Sequence, residues 1–185
     1  MIPMPLMYLP DSAPGPETAT LTPAPSSLAG VRIAVLDNGK PNAGVVMARA
    51  AETLAARTGA TVSLVTKKGP QGRSANAAIP VAEDIFDRLV GEADVVITGA
   101  ADCGSCTAYS VQDAIELEKA GVPAVVVTTT KFEPVARTLS ASFGLAATRM
   151  LVLPHPIGGT DEAVLHEWAD AATDRLISLL TEVAA

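Results

Sequence analysis

From residue 31 onward, short and almost continuously apolar runs alternate with longer segments in which apolar residues recur every three or four positions. The runs fall at 31–36, 61–65, 94–98, 123–129 and 150–153. Each has strand length, and the first closes on the turn-forming sequence Asp37-Asn38-Gly39. The helical periods between and after them cover 43–57, 81–90, 106–120, 133–143 and 161–183, the last with Thr160 or Asp161 as its cap. Residues 67–78 read as a polar, glycine-containing loop. Strands that are apolar throughout are buried on both faces, and their alternation with helices implies a parallel sheet covered on both sides. The predicted fold is therefore α/β: a doubly wound (flavodoxin/Rossmann-like) five-stranded parallel sheet.

The first 30 residues break this pattern. Prolines at 3, 5, 10, 14, 16, 23 and 25 exclude a helix or a central strand. The segment reads as a tail or, because residues 1–9 are apolar, as an extended arm docked on a partner subunit. The expected division is a Pro-rich arm or tail at 1–30 and a catalytic α/β domain at 31–185. Composition sharpens the picture of the core. With 49% apolar but only 3% aromatic residues, the core must be built from Ala, Val, Leu and Ile. A formal charge of −7 argues against a partner that is tracked by its phosphates, so no nucleic acid is expected. No apolar stretch reaches the ~18 residues of a membrane span. The first residues lack a basic n-region and carry prolines, so the expected location is cytoplasmic, without membrane attachment.

In a doubly wound sheet, ligands bind outside the carboxyl ends of the strands. The loops predicted there are Asp37-Asn38-Gly39-Lys40-Pro41-Asn42, the segment beginning Lys67-Lys68, Asp102-Cys103-Gly104-Ser105-Cys106-Thr107, Thr128-Thr129-Thr130-Lys131, and Pro154-His155-Pro156-Ile157-Gly158-Gly159. Polar residues at strand ends are common in α/β proteins. A thiol pair with a histidine is not. Cys103 and Cys106 are the only cysteines, three apart at the mouth of a predicted helix. Unpaired N–H groups and the partial positive charge of a helix N-terminus stabilise a thiolate, so Cys103 is the expected nucleophile. Residues i and i+3 share a helix face, which makes Cys106 the resolving or second catalytic thiol. His155, stiffened between prolines, suits a general acid or base. His166, inside the last helix, reads as a solvated face residue. Asn38, Lys40, Asp102, Ser105, Thr107 and Thr129 are the expected substrate-binding residues. The two cysteines and two histidines lack zinc-finger spacing, and neither a GxGxxG nor a Walker A sequence is present, so no metal or nucleotide cofactor is expected.

These residues carry a resemblance. Leu36-Asp37-Asn38-Gly39-Lys40-Pro41-Asn42-Ala43, Ala101-Asp102-Cys103-Gly104-Ser105-Cys106-Thr107, Asp113-Ala114-Ile115-Glu116-Leu117-Glu118-Lys119, Gly121-Val122-Pro123 and Val152-Leu153-Pro154-His155-Pro156-Ile157-Gly158-Gly159 resemble the UGSC family, named for a selenocysteine-Gly-Ser-Cys motif. The resemblance implies that Cys103 stands at the selenocysteine position and carries the reactive atom. Three functions compete. One is a thiol oxidoreductase in which Cys103 attacks an oxidised substrate and Cys106 resolves the adduct. Another is a non-redox lyase, acyl-transfer enzyme or isomerase using the same thiols. The sheet pattern is distantly similar to the Asp/Glu racemase superfamily, whose usual site draws one thiol from each of two domains. The third is one subunit of a larger enzyme. The expected partners are a small, anionic substrate and a second subunit, either a copy of this chain or a related one.

Overall fold

The computed structural model describes residues 18–67 and 77–181. The apolar residues 1–9, Lys68, and the predicted end of the last helix at 183 lie outside the described residues. The chain forms β1 (Arg32–Asp37), α1 (Ala43–Thr58), β2 (Thr61–Thr66), α2 (Glu83–Glu92), β3 (Val95–Ala101), α3 (Gly104–Lys119), β4 (Ala124–Thr129), α4 (Glu133–Ser142), β5 (Arg149–Leu153) and α5 (Glu162–Thr181). All strand pairs are parallel, in the order β2-β1-β3-β4-β5. This is the flavodoxin-like doubly wound order, and its topological switch point lies between β1 and β3.

The two faces are covered by separate helices, two on one and three on the other, and have separate cores. Ile33, Val35, Val95, Ile97, Val125, Val127, Leu151 and Leu153 meet α1 and α5 on one face. Ala34, Leu36, Val96, Ala124, Val126 and Met150 meet α2, α3 and α4 on the other. Strands β3 and β4 are buried along their whole length, which is why the sequence shows no alternation there. The scarcity of aromatic residues fits this packing, because small side chains allow α1 and α3 to lie close on the sheet. Arg49–Asp170 and Arg57–Asp174 tie α1 to α5 at the surface. The Arg49 guanidinium holds the Asp170 carboxyl below its ordinary range. Exposed pairs of this kind contribute little to stability.

Gly99 shapes the carboxyl edge of the sheet. Its φ is +131°, and a Cβ there would lie 2.3 Å from the Val127 carbonyl oxygen. The β3–β4 register shifts between Thr98 and Ala101, so this glycine marks the irregularity that turns β3 toward the cysteine loop.

Residues 18–30 lie along this chain's own body. Ala19 N–H donates to the Gly144 carbonyl at 2.9 Å. The Thr22 N–H and Oγ1 donate to Glu118 Oε2 and the Glu118 carbonyl at 2.6 and 2.7 Å. Arg149 closes the clamp, donating to Glu118 Oε1 at 2.5 Å and to the Thr22 carbonyl at 2.7 Å. Leu28 completes the attachment by burying its side chain in the α1–α5 core. Thr22→Val is expected to cost about 1 kcal/mol, the worth of one hydrogen bond. It should also speed amide hydrogen exchange in residues 18–24, readable by mass spectrometry.

Candidate active site

Helix α1 leaves β1 for one face of the sheet and α3 leaves β3 for the other, so their first turns border the switch-point crevice. Cys103 is the N-cap of α3, in an extended conformation (φ −149°, ψ 164°). Its carbonyl accepts from the Thr107 N–H at 3.0 Å and from Thr107 Oγ1 at 2.6 Å. The fully buried Thr107 therefore pins the cysteine backbone to the helix. No acidic side chain occupies the first turn of α3. The positive end of the helix is thus left to stabilise charge on Cys103 when its thiol is reduced. Cys103 and Cys106 are joined as a disulfide with their Cα atoms 5.4 Å apart. Cys103 is half-buried, while Cys106 is fully buried beneath it. Ser105 is exposed in the first turn of α3, its Oγ 3.9 Å from Cys103 Sγ.

Around the disulfide, three loops are laced together. Asp102 Oδ2 accepts from the Gly158 N–H at 2.9 Å, so the carboxylate turns toward the β5–α5 loop. Asn42 holds the same loop from the other side: its Nδ2 donates to the carbonyls of Ile157 and Thr160 at 3.0 and 2.8 Å. To do so it adopts a left-handed backbone (φ 67°) and gives up side-chain capping of α1. Below it, Asp37 Oδ1 accepts from the Gly39 N–H, and a Cβ on Gly44 would lie 3.1 Å from Asp37 Oδ2. The sequence shows Asn42 only as one polar residue of a strand-end loop, and its long-range pairing has no local signature.

The remaining predicted residues divide. Thr129, at the end of β4, is buried and shares a 3.2 Å hydrogen bond with His155 Nδ1. The His155 ring also packs against Phe132, with centroids 5.8 Å apart. His155 follows β5, two strands from β3, which is roughly 10 Å at the ordinary strand spacing. Its contacts join it to the β4 end of the site. Lys40 is exposed on the β1–α1 loop, and Asn38 is fully buried with Oδ1 accepting from the Lys40 N–H at 3.0 Å. Lys67, expected at the edge with the other loop lysines, instead turns inward and forms a buried ion pair with Asp113 of α3. Its Nζ also donates to the Ile79 carbonyl at 2.9 Å. Burial pushes the Asp113 carboxyl above its ordinary 3.8, against the pull of the Lys67 ammonium and the Val81 N–H. His166 sits on the outer part of α5, 3.6 Å from Glu162. Of the two expected caps, Asp161 is the residue that immediately precedes α5, its carbonyl accepting from the Leu165 N–H at 3.1 Å, while the Thr160 hydroxyl donates to the Pro156 carbonyl at 2.6 Å. A cavity of about 810 Å³ lies away from this edge, beside Thr18, Arg149 and Leu179.

The UGSC family profile matches residues 5–182, nearly the whole chain. The chain belongs to the UGSC family. No curated protein matches the sequence. Among solved structures, this UGSC protein is similar to a flavodoxin of Streptococcus pneumoniae TIGR4 at 13% identity and a TM-score of 0.45, covering 78% of this chain and 96% of that one. It is similar also to an NAD(P)H:quinone oxidoreductase from Methanothermobacter marburgensis at 15% identity and a TM-score of 0.47, covering 80% and 100% of the two chains. The fold of the UGSC protein rests on its own strand order. Among the described residues, no helix is long and apolar enough to cross a membrane.

Proposed function

We propose that this UGSC protein is a thiol-dependent enzyme that reduces a small oxidised molecule, with Cys103 as nucleophile and Cys106 as resolving thiol. The observation that carries this reading is the pairing of the half-buried N-cap Cys103 with the fully buried Cys106 directly beneath it. Only one of the two sulfurs is accessible to a substrate, and the other is held where it attacks the first. With a substrate disulfide, the Cys103 thiolate attacks one sulfur, the substrate S–S bond breaks, and one substrate thiol leaves. Cys106 then attacks Cys103 Sγ, the second substrate thiol leaves, and the protein disulfide forms. An external dithiol returns both cysteines to the reduced state, carrying away the two electrons' worth of oxidation as its own disulfide.

The β3–α3 loop, the Asn42 loop and the Gly158 loop border the substrate position. The exposed Lys40 would attract an anionic group there, while Thr129 and His155 line the β4–β5 side. Completion of this open edge by a second subunit belongs to the same proposal. Cys106→Ser is expected to accumulate a mixed disulfide on Cys103 when the reduced protein meets a small disulfide, seen as a mass increase in the intact protein. Cys103→Ser should show none. Turnover by Cys106→Ser without any reductant would overturn the redox mechanism in favour of non-redox thiol chemistry.

A further inference from the structure

Ser105 Oγ lies 3.9 Å from Cys103 Sγ, within hydrogen-bond reach of a sulfur atom. The disulfide leaves Cys103 without a thiol hydrogen, so the Ser105 hydroxyl is the donor. No other hydrogen bond claims that hydroxyl among the described residues. Hydroxyls elsewhere in the helices are spent on backbone: those of Thr58, Thr138, Ser142, Thr173 and Thr181 return to the carbonyl four residues back. Thr107 does the same with the Cys103 carbonyl. The carbonyl four residues before Ser105, that of Ala101, accepts instead from the Thr128 hydroxyl at 3.1 Å. Ser105 thus has its hydroxyl exposed in the first turn of α3 and committed only to the reactive sulfur. The rest of the turn favours charge on that sulfur. Cys103 is an N-cap without a side-chain capping bond, and Gly104, Ser105 and Cys106 carry N–H groups that a helix leaves unpaired at its start. No acidic side chain lies in that turn, and the Asp102 carboxylate is engaged by the Gly158 N–H at 2.9 Å.

We propose that Ser105 is a catalytic residue of the thiol reaction, its hydroxyl donating a hydrogen bond that stabilises the Cys103 thiolate, and not a substrate-binding residue. This rests on the reading of Cys103 as the nucleophile. The hydrogen stays on Ser105 Oγ throughout, and the thiol proton of Cys103 goes to solvent. Attack on a substrate disulfide starts from the thiolate: the Cys103 Sγ bond to one substrate sulfur forms, the substrate S–S bond breaks, and the negative charge leaves on the other substrate sulfur. Reduction by an external dithiol ends with Cys103 Sγ departing as the same thiolate. A hydrogen bond to a charged acceptor is roughly twice as strong as one between neutral groups, so Ser105 holds the thiolate more tightly than the thiol or the disulfide. More of Cys103 is then ionised near neutral pH, where the free amino acid is mostly thiol.

The titratable groups on the elements around Cys103 are Asp102 on its own loop, Tyr109 further along α3, and Asp37 and Lys40 at the end of β1. Lys131 follows β4 and His155 follows β5. Asp37 is engaged by the Gly39 N–H and His155 by Thr129. All of them are present with and without the Ser105 hydroxyl, so a change in the titration of Cys103 on its removal belongs to Ser105.

The test follows alkylation of Cys103 by iodoacetamide, a neutral reagent, in the full-length Cys106→Ser protein between pH 5 and 10, read as mass gain of the intact chain. Adding Ser105→Ala is expected to raise the midpoint of the pH profile by about one unit, the effect of losing one hydrogen bond to a charged group. Below both midpoints alkylation should slow. On the high-pH plateau it should be as fast or faster, because a thiolate of higher pKa is the better nucleophile. Ser105→Thr retains the hydroxyl and should keep the midpoint of the Cys106→Ser protein. A substitution that merely loosened the turn would change the rate at every pH without moving the midpoint. An unmoved midpoint in Ser105→Ala, or an equal rise in Ser105→Thr, would overturn the proposal. A Cys103 that no pH in this range makes reactive would overturn the nucleophile reading, and the role of Ser105 with it. A normal profile in a protein that traps no mixed disulfide would overturn the redox mechanism alone, with Ser105 still judged by its midpoint shift.

Discussion

Lys67→Met is expected to destabilise the protein by about 3–5 kcal/mol near pH 7.5, and by much less near pH 4. Both side chains of the Lys67–Asp113 pair are almost fully buried, at 2% and 1% exposure. Methionine keeps the length of the lysine stem but leaves the Asp113 carboxylate facing only the Val81 N–H at 2.9 Å. The pH dependence follows from the direction of the shift. In the folded protein the Asp113 carboxyl stands above its ordinary 3.8. The folded state therefore keeps this proton at pH values where the unfolded chain has lost it. The contribution to stability is full below about 3.8 and is lost as pH rises through the folded value. Without Lys67 the opposing attraction is gone, the folded value rises further, and the window of lost stability widens. Chemical denaturation of wild type and Lys67→Met at the two pH values checks this. An equal loss at both would show that no unpaired buried charge had been created.

Gly99→Ala is expected to cost about 2–6 kcal/mol, as a strained backbone and an overpacked contact combine. The added Cβ would lie 2.3 Å from the Val127 carbonyl oxygen and 3.1 Å from Val127 N, all backbone of a central strand. Nothing there can move aside without breaking the β3–β4 ladder. Typical domains are stable by only about 5–15 kcal/mol, so partial unfolding at 37 °C is expected. Because the irregularity at Gly99 aims β3 toward Cys103, any folded fraction should also show slowed disulfide reduction. Gly104→Ala is the control, since its Cβ would meet nothing within 4 Å. It should change stability by less than about 1 kcal/mol, within the range of helix propensity. A loss of less than 1 kcal/mol in Gly99→Ala, read from the denaturation midpoint, would contradict the argument.

Both predictions concern residues whose importance is local chemistry in an unlocal setting. In the sequence Gly99 is simply the residue that follows the apolar run 94–98. Its close approach to β4 depends on a strand that follows it by some 25 residues. Lys67 looked like one of several loop lysines. It became a buried partner because α3 carries Asp113 on the side facing the end of β2, and because Ile79 offers its carbonyl nearby. Asn42 shows the same limit from the other direction. In the sequence it is one more polar residue of a strand-end loop, yet its side chain reaches residues 157 and 160.

By itself the sequence determined the order of strands and helices, the parallel sheet buried on both faces, and the place of Cys103-Gly104-Ser105-Cys106 at the mouth of the third helix. Each of these is written in short-range periodicity: continuous apolar runs, helical spacing, and a glycine-rich turn between them. Some boundaries shifted by a few residues, with α2 starting at Glu83 and β3 running on to Ala101, because helix ends and strand ends answer to neighbours as well as to propensity. Only the tertiary structure decided which side chains face one another. It paired Asp102 with Gly158, Asn42 with the β5–α5 loop, His155 with Thr129, and Lys67 with Asp113. It also clamped Thr22 to Glu118 and Arg149, so that residues 18–30 lie along this chain's own body. The physical reason is that a side chain's burial and partners are set by elements distant in sequence, and no local pattern encodes those distances.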